Sequence, residues 1–133
     1  MTEIKHETVK DVMSEKLIMI DGLTTISNAL GIMRKNETSS LVINRRNDSD
    51  EYGLLTARDI AKEVVVPDKE PERISAYQVM QKPVLSIRAN MNVRYAIRLL
   101  LKFDVFRALI IEDDVAIGLV TLEDMLLRYT EIK

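Results

Sequence analysis

The chain has 133 residues, of which 47% are apolar and 30% charged, and its formal net charge at pH 7 is −2. These values are typical of a globular chain with one core-forming unit, and the dispersed charge argues against general DNA or RNA binding. The absence of cysteine and the single histidine, His6, exclude disulfides, thiolate or histidine-cluster metal sites and cysteine nucleophiles. No apolar run approaches the roughly 18 to 20 residues that span a bilayer, so we expect a cytoplasmic location.

The first half of the chain predicts a strand, a helix, two strands and a second helix, in that order. The strands are short apolar runs bounded by polar or glycine signals, at 17–20, 41–43 and 52–55. The last two runs flank a polar, turn-rich segment and are therefore expected to form a hairpin. Each helix follows a threonine that can cap its free amides, Thr24 or Thr25 for the first and Thr56 for the second.

The second half predicts the same order after a linker, Pro67 to Pro71, which ends a helix and is unsuited to a central strand. Asn90 or Asn92 can cap its first helix, and its second helix begins after Thr121. Its apolar runs lie at 84–87, 109–111 and 116–120. We therefore assign residues 1–67 to a first repeat with its N-terminal segment, and residues 68–133 to the linker and a second repeat.

The two halves also match residue for residue, as expected of a true duplication. The run GLLTARD at 53–59 returns as GLVTLED at 118–124, and DVM at 11–13 returns as QVM at 78–80. One step of 67 positions carries one apolar helix face onto another, from Ile26, Ala29, Leu30 and Met33 to Val93, Ala96, Ile97 and Leu100. The first half holds two extra residues between Ile43 and Gly53, in a polar segment of the kind that tolerates insertion.

This doubled pattern resembles a tandem pair of CBS domains, often called a Bateman module. The resemblance is carried by the Val-Met pair before the first strand and the Gly-apolar-apolar-Thr-x-x-Asp junction, each present twice, over roughly 9–65 and 74–129. It implies an α/β (α+β) fold of two β-α-β-β-α repeats packed about a pseudo-two-fold axis, with two clefts per pair. It also implies frequent association of pairs into disc-shaped dimers.

The two Thr-x-x-Asp junctions, Thr56 with Asp59 and Thr121 with Asp124, have two physical explanations. In the structural one, the hydroxyl caps the helix and the carboxylate reaches back to the cap amide. In the functional one, the helix start and hydroxyl bind a phosphate, while the carboxylate accepts hydrogen bonds from two ribose hydroxyls. The adenosine ligands known for CBS modules favour the second explanation, although fold membership alone does not guarantee a ligand.

The residues beside the two junctions differ. Arg107 opens a strand in the second half, at a position where nucleotide-binding members of the family often direct a basic residue at phosphate. Ser40 stands at the matching position in the first half. A surface ion pair between Arg107 and a carboxylate such as Glu112 is an equally open explanation.

The resemblance also places two residues of the second half, Ser86 and Ile117, near the base of a bound ligand. Met19 and Tyr52 are their counterparts in the first half, and core packing is an alternative role for all four. The candidate nucleotide-binding residues are Ser86, Arg107, Ile117, Thr121 and Asp124 in the second half, with Ser40, Thr56 and Asp59 in the first.

We therefore predict a regulatory module that binds an adenine nucleotide (AMP, ADP or ATP), forms a homodimer and signals to a separate, unidentified protein. It is expected to require no cofactor and to be no enzyme, because the chain offers no constellation of base, nucleophile or metal ligands. Arg45-Arg46 is too short a basic run to indicate nucleic acid binding and suits a solvated hairpin tip. The alternatives are a ligand-free dimerisation scaffold with vestigial clefts, and a sensor of S-adenosylmethionine.

Overall fold

The structure is a computed structural model that describes residues 7–131. His6 and the outer ends of the predicted domains 1–67 and 68–133 lie outside the described residues. The strands are β1 (Met19–Ile20), β2 (Ser40–Ile43), β3 (Gly53–Thr56), β4 (Ser86–Arg88), β5 (Arg107–Glu112) and β6 (Val115–Thr121). The helices are α1 (Val9–Val12), α2 (Ile26–Asn36), α3 (Ala57–Ile60), α4 (Val93–Lys102) and α5 (Leu122–Glu131), with a π-helical turn at Ala61–Val65 and 3₁₀ turns at Pro71–Arg73 and Ala76–Gln78.

The strands form two three-stranded sheets with the same topology, in the orders β1-β2-β3 and β4-β5-β6. In each sheet the first strand runs parallel to the second, and the second pairs antiparallel with the third. The two predicted hairpins are thus confirmed, and a helix connects each parallel pair, as such pairs require. The predicted mixed fold of repeated strand, helix, strand, strand and helix is confirmed.

The helix boundaries follow the predicted capping residues. Thr25 caps α2 by accepting a hydrogen bond from the Asn28 amide, and Asn92 caps α4 by accepting one from the Arg94 amide. After α3 the chain widens into the π-helical turn, where the Val66 amide donates to the Ala61 carbonyl, and helix ends before Pro67 as predicted.

Each sheet has one face packed against its own helices. In the first sheet this face consists of Ile20, Leu41, Ile43 and Leu55, which pack with buried residues of α2. In the second sheet it consists of Ile87, Ala108, Ile110 and Val120, which pack with buried residues of α4. Since successive side chains of a strand alternate between faces, the residues between these positions lie on the opposite face of each sheet.

The chain divides into two compact units that cross the boundary between the sequence repeats. Within the described residues, the first unit comprises Ile18–Val84, and the second unit joins residues 7–17 with residues 85–131. The division at 67 and 68 follows the duplicated sequence, whereas the compact units follow main-chain contacts. The segment that contains α1 pairs with the second sheet through Ser14 and Leu119, and the segment after the linker pairs with the first sheet through Gln81 and Leu54.

The same exchange explains the glycine of each junction. A Cβ atom on Gly53 would lie 2.6 Å from Sδ of Met80, and one on Gly118 would collide with Sδ of Met13. Any larger residue at either position would displace these methionines. The methionine of each Val-Met pair therefore packs on the glycine of a junction. Within each unit, this methionine and this glycine come from different sequence repeats. None of the helices in the described range is long and apolar enough to cross a membrane.

Candidate functional site: the two Thr-x-x-Asp junctions

The first junction, at the end of β3, is saturated by internal hydrogen bonds. The Asp59 carboxylate accepts from the Thr56 amide (3.2 Å) and from the Thr56 hydroxyl (2.8 Å), and the Thr56 hydroxyl accepts from the Asp59 amide (3.1 Å). The side-chain amide of Gln81 also donates to both oxygens of Asp59, at 3.1 and 3.2 Å. Thr56 is only 5% exposed. This junction therefore fulfils the capping explanation completely.

The second junction, at the end of β6, forms only half of this arrangement. The Thr121 hydroxyl accepts from the Asp124 amide at 3.0 Å. Within residues 7–131, no donor is found for the Asp124 carboxylate and no acceptor for the Thr121 hydroxyl proton. Asp124 is also exposed, whereas Asp59 is half-buried. The same motif thus leaves an acceptor and a donor available in the second unit and none in the first.

The helix start supplies fewer free amides than the sequence suggested. The Leu122 amide, the first of α5, donates to the Phe106 carbonyl at 2.7 Å, and the Asp124 amide is engaged by Thr121. The equivalent amide of α3, on Ala57, donates to the Ser39 carbonyl at 2.8 Å. An anion at either junction would therefore depend on side-chain donors more than on the helix terminus.

The basic residue predicted for the second junction lies directly beside it. Arg107 is the register partner of Thr121 across β5 and β6, and Ser40 is the partner of Thr56 across β2 and β3. Paired residues on neighbouring strands project from the same face, so Arg107 and Thr121 share a face opposite the helix-packed one. Of the carboxylates that could pair with Arg107, the structure excludes Glu112, and a surface ion pair with another carboxylate stays an alternative. Glu112 lies five residues along β5, roughly 16 Å away, and accepts from Lys10 at 2.9 and 3.0 Å.

The four residues predicted near a base divide into two groups. Ser86 pairs with Leu109 and therefore shares the face of Arg107, and Met19 pairs with Val42 on the matching face of the first sheet. Ile117 lies at an irregularity where β6 shifts register, four residues from Thr121, and is half-buried. Tyr52 is buried just before β3, with the guanidinium of Arg45 4.7 Å from its ring centre. The structure thus groups Ser86, Arg107 and Thr121 on one face, whereas Ile117 and Tyr52 lie four residues before the junction threonines.

A feature that the sequence did not indicate borders the second junction. A cavity of about 280 Å³ is lined by Asp124 with Leu127 and Arg128 of α5, and by Asp11 and Val12 of α1. Arg128 donates from Nε and Nη2 to the carboxylate of Glu7 at 2.9 and 3.1 Å, and Glu7 is 8% exposed. This two-point ion pair ties α5 to the N-terminal segment and fixes one wall of the cavity. In the described residues no group of three or more His, Cys, Asp or Glu side chains could hold a metal ion.

The sequence matches one family twice. The family profile of the CBS domain matches residues 9–66 and 76–131. An uncharacterised protein of Methanopyrus kandleri is 34% identical over 96 residues, which make up 71% of this chain and 48% of that protein. A homoserine O-acetyltransferase of Methanobrevibacter ruminantium is 28% identical over 123 residues, 92% of this chain and 24% of the enzyme. The chain thus spans about half the length of the first relative and about a quarter of the second.

Solved structures share the fold over nearly the whole chain. A hexameric CBS-CP12 protein from bloom-forming cyanobacteria has a TM-score of 0.87 at 24% identity, over 92% of this chain and 71% of that one. A conserved CBS domain protein of unknown function from Thermoplasma acidophilum has a TM-score of 0.80 at 26% identity, over 95% and 74%. A CBS domain pair in complex with 5′-methylthioadenosine and S-adenosyl-L-methionine has a TM-score of 0.81 at 22% identity, over 97% and 100%.

Proposed function

The chain belongs to the CBS-domain family of regulatory ligand-binding modules, and we propose that it senses an adenine nucleotide at the second junction and signals to a separate protein. One observation carries the proposal. Arg107 lies in register with Thr121, and Asp124, three residues after Thr121, has a carboxylate that accepts from no donor in the described residues. A cation, a hydroxyl donor and an acidic acceptor are the groups that phosphate and ribose require.

The division of roles follows from the chemistry of each group. Arg107 supplies charge-assisted hydrogen bonds to a phosphate, and the Thr121 hydroxyl donates to the same group or to the ribose. The Asp124 carboxylate accepts from the two ribose hydroxyls, because an ionised carboxylate is an acceptor at both oxygens. Ser86, on the same face, supports the base. The first junction is a structural cap in this proposal, since its threonine and aspartate already satisfy each other.

Two other ligand states are tested by the same measurements. A sulfonium ligand is the second candidate, because a CBS domain pair is known in complex with 5′-methylthioadenosine and S-adenosyl-L-methionine. Such a ligand would use Asp124 but has no phosphate for Arg107. A scaffold without ligand would use neither. Nucleotide is preferred here because a cation beside the ribose acceptor would repel a sulfonium group and attract a phosphate.

No catalytic activity is proposed for the chain. The homoserine O-acetyltransferase that it resembles is matched over only 24% of its length, so that activity is not carried over. We also propose self-association, for which the support is a set of exposed apolar side chains on or beside the helices of the second unit: Leu101, Phe103, Phe106, Leu126 and Leu127. Light scattering at micromolar concentration should give at least twice 15.2 kDa, and a monomer mass would contradict the proposal.

The experiment that tests the ligand is calorimetric titration with ATP, ADP, AMP, S-adenosylmethionine and adenosine, after mass spectrometry of the small molecules that copurify. Nucleotides should bind more tightly than adenosine, and S-adenosylmethionine more weakly than ATP. A ligand at 100 times its dissociation constant should stabilise the fold by about 2.7 kcal/mol, which a melting curve resolves. If all five compounds leave the melting curve unmoved, the scaffold alternative replaces the proposal.

A further inference from the structure

A second and larger cavity, of about 570 Å³, lies in the unit of residues 18–84. It is found at the end of β2 opposite the Thr56 junction, because β2 begins at Ser40, the partner of Thr56, and ends at Ile43, which lines the cavity. None of Ser40, Thr56 and Asp59 contributes to its wall. The wall comes from the loop after β1, the polar segment after β2 and the segment that follows the linker. A volume of this size is typical of small-molecule sites.

Much of the wall is apolar. Ile20 and Ile43 form part of it at the sheet, and Met80 and Tyr77 contribute from the segment after the linker. Leu23 and Tyr77 are 74% and 52% exposed although both are large apolar side chains. Exposed apolar groups that line a concave surface are characteristic of a binding site for a partly apolar ligand.

Three cations and two carboxylates complete the wall. Asp50, whose side chain is 8% exposed, accepts from Arg46 Nε at 3.0 Å and from Lys82 Nζ at 2.7 Å. Hydrogen bonds from Arg46 and then from Lys82 hold the pKa of the Asp50 carboxyl well below its usual range, so it remains an anion that positions both cations. Within residues 7–131, Arg46 and Lys82 pair with no carboxylate besides Asp50. Their remaining N–H donors can therefore engage a second anion.

The third cation is Arg45, which the structure does not leave at a solvated hairpin tip. It is half-buried, lines the cavity and stacks over Tyr52. The other carboxylate of the wall, Asp21, accepts from the Leu23 amide at 2.7 Å and so caps its own loop. The cavity wall thus keeps one formal positive charge after both carboxylates are counted against the three cations.

The corresponding corner of the other unit has the opposite charge. The 67-position step carries Arg45, Arg46 and Lys82 onto Glu112, Asp113 and Glu15. It also carries Asp21 and Tyr77 onto Arg88 and Lys10, so these positions keep one formal negative charge. In that unit Lys10 and Glu112 form an ion pair of 2.9 Å, which joins the two positions held by Tyr77 and Arg45 in the first unit. The two-residue insertion after β2 lies in the segment that supplies Arg45, Arg46 and Asp50. The basic cavity is therefore specific to the first unit and does not follow from the duplicated fold.

From this geometry we propose that the first unit binds a small organic anion with an apolar or planar body, separately from the nucleotide site. The apolar body lies against Tyr77 and Met80, and the anionic group is held by Arg46 and Lys82. Asp50 is ion-paired with both cations, so the ligand meets donors already held in place.

The test uses 8-anilinonaphthalene-1-sulfonate, an aromatic body with one sulfonate, and N-phenyl-1-naphthylamine, a similar body without charge, as fluorescent probes of the full chain. The sulfonate should bind saturably at one site per chain. In Arg46→Gln/Asp50→Asn/Lys82→Gln, which removes both cations without leaving a buried carboxylate unpaired, its affinity should fall about tenfold. The affinity of the uncharged probe should stay within about twofold of the wild-type value.

Arg88→Gln is the matched control, because it lies on β4 of the other unit and changes the net charge by the same −1 as the triple variant. It should leave both affinities unchanged, as should Asp124→Ala, which disables the proposed nucleotide site. An unchanged sulfonate affinity in the triple variant, or an equal loss in Arg88→Gln, would overturn the proposal. If the triple variant does not fold, Lys82→Gln decides in its place, since it keeps the Arg46–Asp50 pair and should still weaken sulfonate binding alone.

Discussion

The two Thr-x-x-Asp junctions share a sequence motif and differ in what their side chains do. At the first junction, Thr56 and Asp59 hydrogen-bond each other in both directions, and the side-chain amide of Gln81 also donates to the Asp59 carboxylate. At the second junction the Asp124 carboxylate meets no donor within the described part of the chain. One copy of the motif thus serves as a helix cap, and the other keeps the groups that a ligand needs.

A single exchanged residue accounts for much of this difference. Gln81 reaches Asp59 with its side-chain amide at 3.1 Å, and the 67-position step relates Gln81 to Ser14. The Ser14 side chain has no amide donor, and its hydroxyl oxygen accepts from the Lys16 amide at 3.2 Å. A donor from another segment of the chain thus decides whether the aspartate of this motif is occupied within the protein.

The largest effect is expected from the glycines on which both junctions rest. Gly118→Ala would place a Cβ 2.8 Å from the Ser14 carbonyl oxygen, and main-chain atoms cannot move aside as a side chain can. Gly53→Ala meets mainly the flexible end of Met80, with the Gln81 carbonyl oxygen at 3.3 Å. We expect a loss of about 3 kcal/mol of unfolding free energy for Gly118→Ala and about 1 kcal/mol for Gly53→Ala, measured by urea unfolding. A larger loss for Gly53→Ala would show that the two contacts have been ranked wrongly.

The next effect concerns ligand affinity. Asp124→Ala should weaken ATP binding roughly 10- to 100-fold, because a hydrogen bond to a charged group contributes about 1.5 to 3 kcal/mol. Asp59→Ala should change it by less than about threefold, since that carboxylate is already occupied. Calorimetry at a temperature where both variants are folded makes the comparison. Equal losses would place ligand at both junctions and remove the asymmetry.

Replacement of Arg107 should separate phosphate from nucleoside. Arg107→Ala is expected to weaken ATP binding about tenfold, while adenosine binding changes by no more than about twofold, because adenosine has no phosphate for the guanidinium to bind. Arg94→Ala, on the exposed start of α4, is a control for loss of one positive charge. If Arg107→Ala weakens adenosine as much as ATP, Arg107 has a structural role instead.

The free energy of unfolding should depend more on Asp59 than on Asp124, the reverse of their expected effects on ATP affinity. Asp59→Ala removes the acceptor of a Thr56 amide and hydroxyl that are nearly buried, so we expect a loss of about 1 to 2 kcal/mol. Asp124→Ala removes only a charge near the start of α5 and should cost about 0.5 kcal/mol. Thermal unfolding of the ligand-free variants measures both, and a cost for Asp124→Ala that equals that of Asp59→Ala would mean that Asp124 is also a cap.

The smallest expected effect is on ATP affinity, and it tests directly whether Gln81 makes the two junctions differ. Ser14→Gln gives the second junction the donor that the first one has, so it should occupy Asp124 and weaken ATP binding about threefold. Ser14→Ala is the control, because it changes the same position without adding a donor. Identical affinities for Ser14→Gln and Ser14→Ala would show that Gln81 is not what distinguishes the junctions.

Local signals predicted most of the fold. Apolar periodicity, Thr25 and Asn92 at the helix caps, and Pro67 at a helix end act within a few residues, and the structure places all of them as expected. The family resemblance also pointed to Arg107, which the structure places beside Thr121. What the sequence could not reveal depended on segments distant in the chain. The pairing of Gln81 with Asp59 and the charge of the cavity at Arg46 both arise from contacts that periodicity does not encode.

Two expectations failed for identifiable reasons. Arg45 was expected at a solvated tip because a polar run between strands is usually a turn, but its guanidinium stacks over the ring of Tyr52 and the side chain is half-buried. The amides of the α5 start were expected to be free, but the Phe106 carbonyl reaches the first of them, on Leu122. In both cases the partner lies outside the element from which the prediction was made.

The methionine that rests on Gly118 comes from the start of the chain, and the one that rests on Gly53 comes from after the linker. A protein with a single repeat would carry one such methionine, and its segment could be exchanged only between two separate molecules. In a chain with two copies, each repeat supplies the methionine that contacts the glycine of the other, so the exchange takes place within one polypeptide. The two repeats are therefore coupled, because a substitution in the segment that precedes one repeat alters the packing of the glycine-bearing strand of the other.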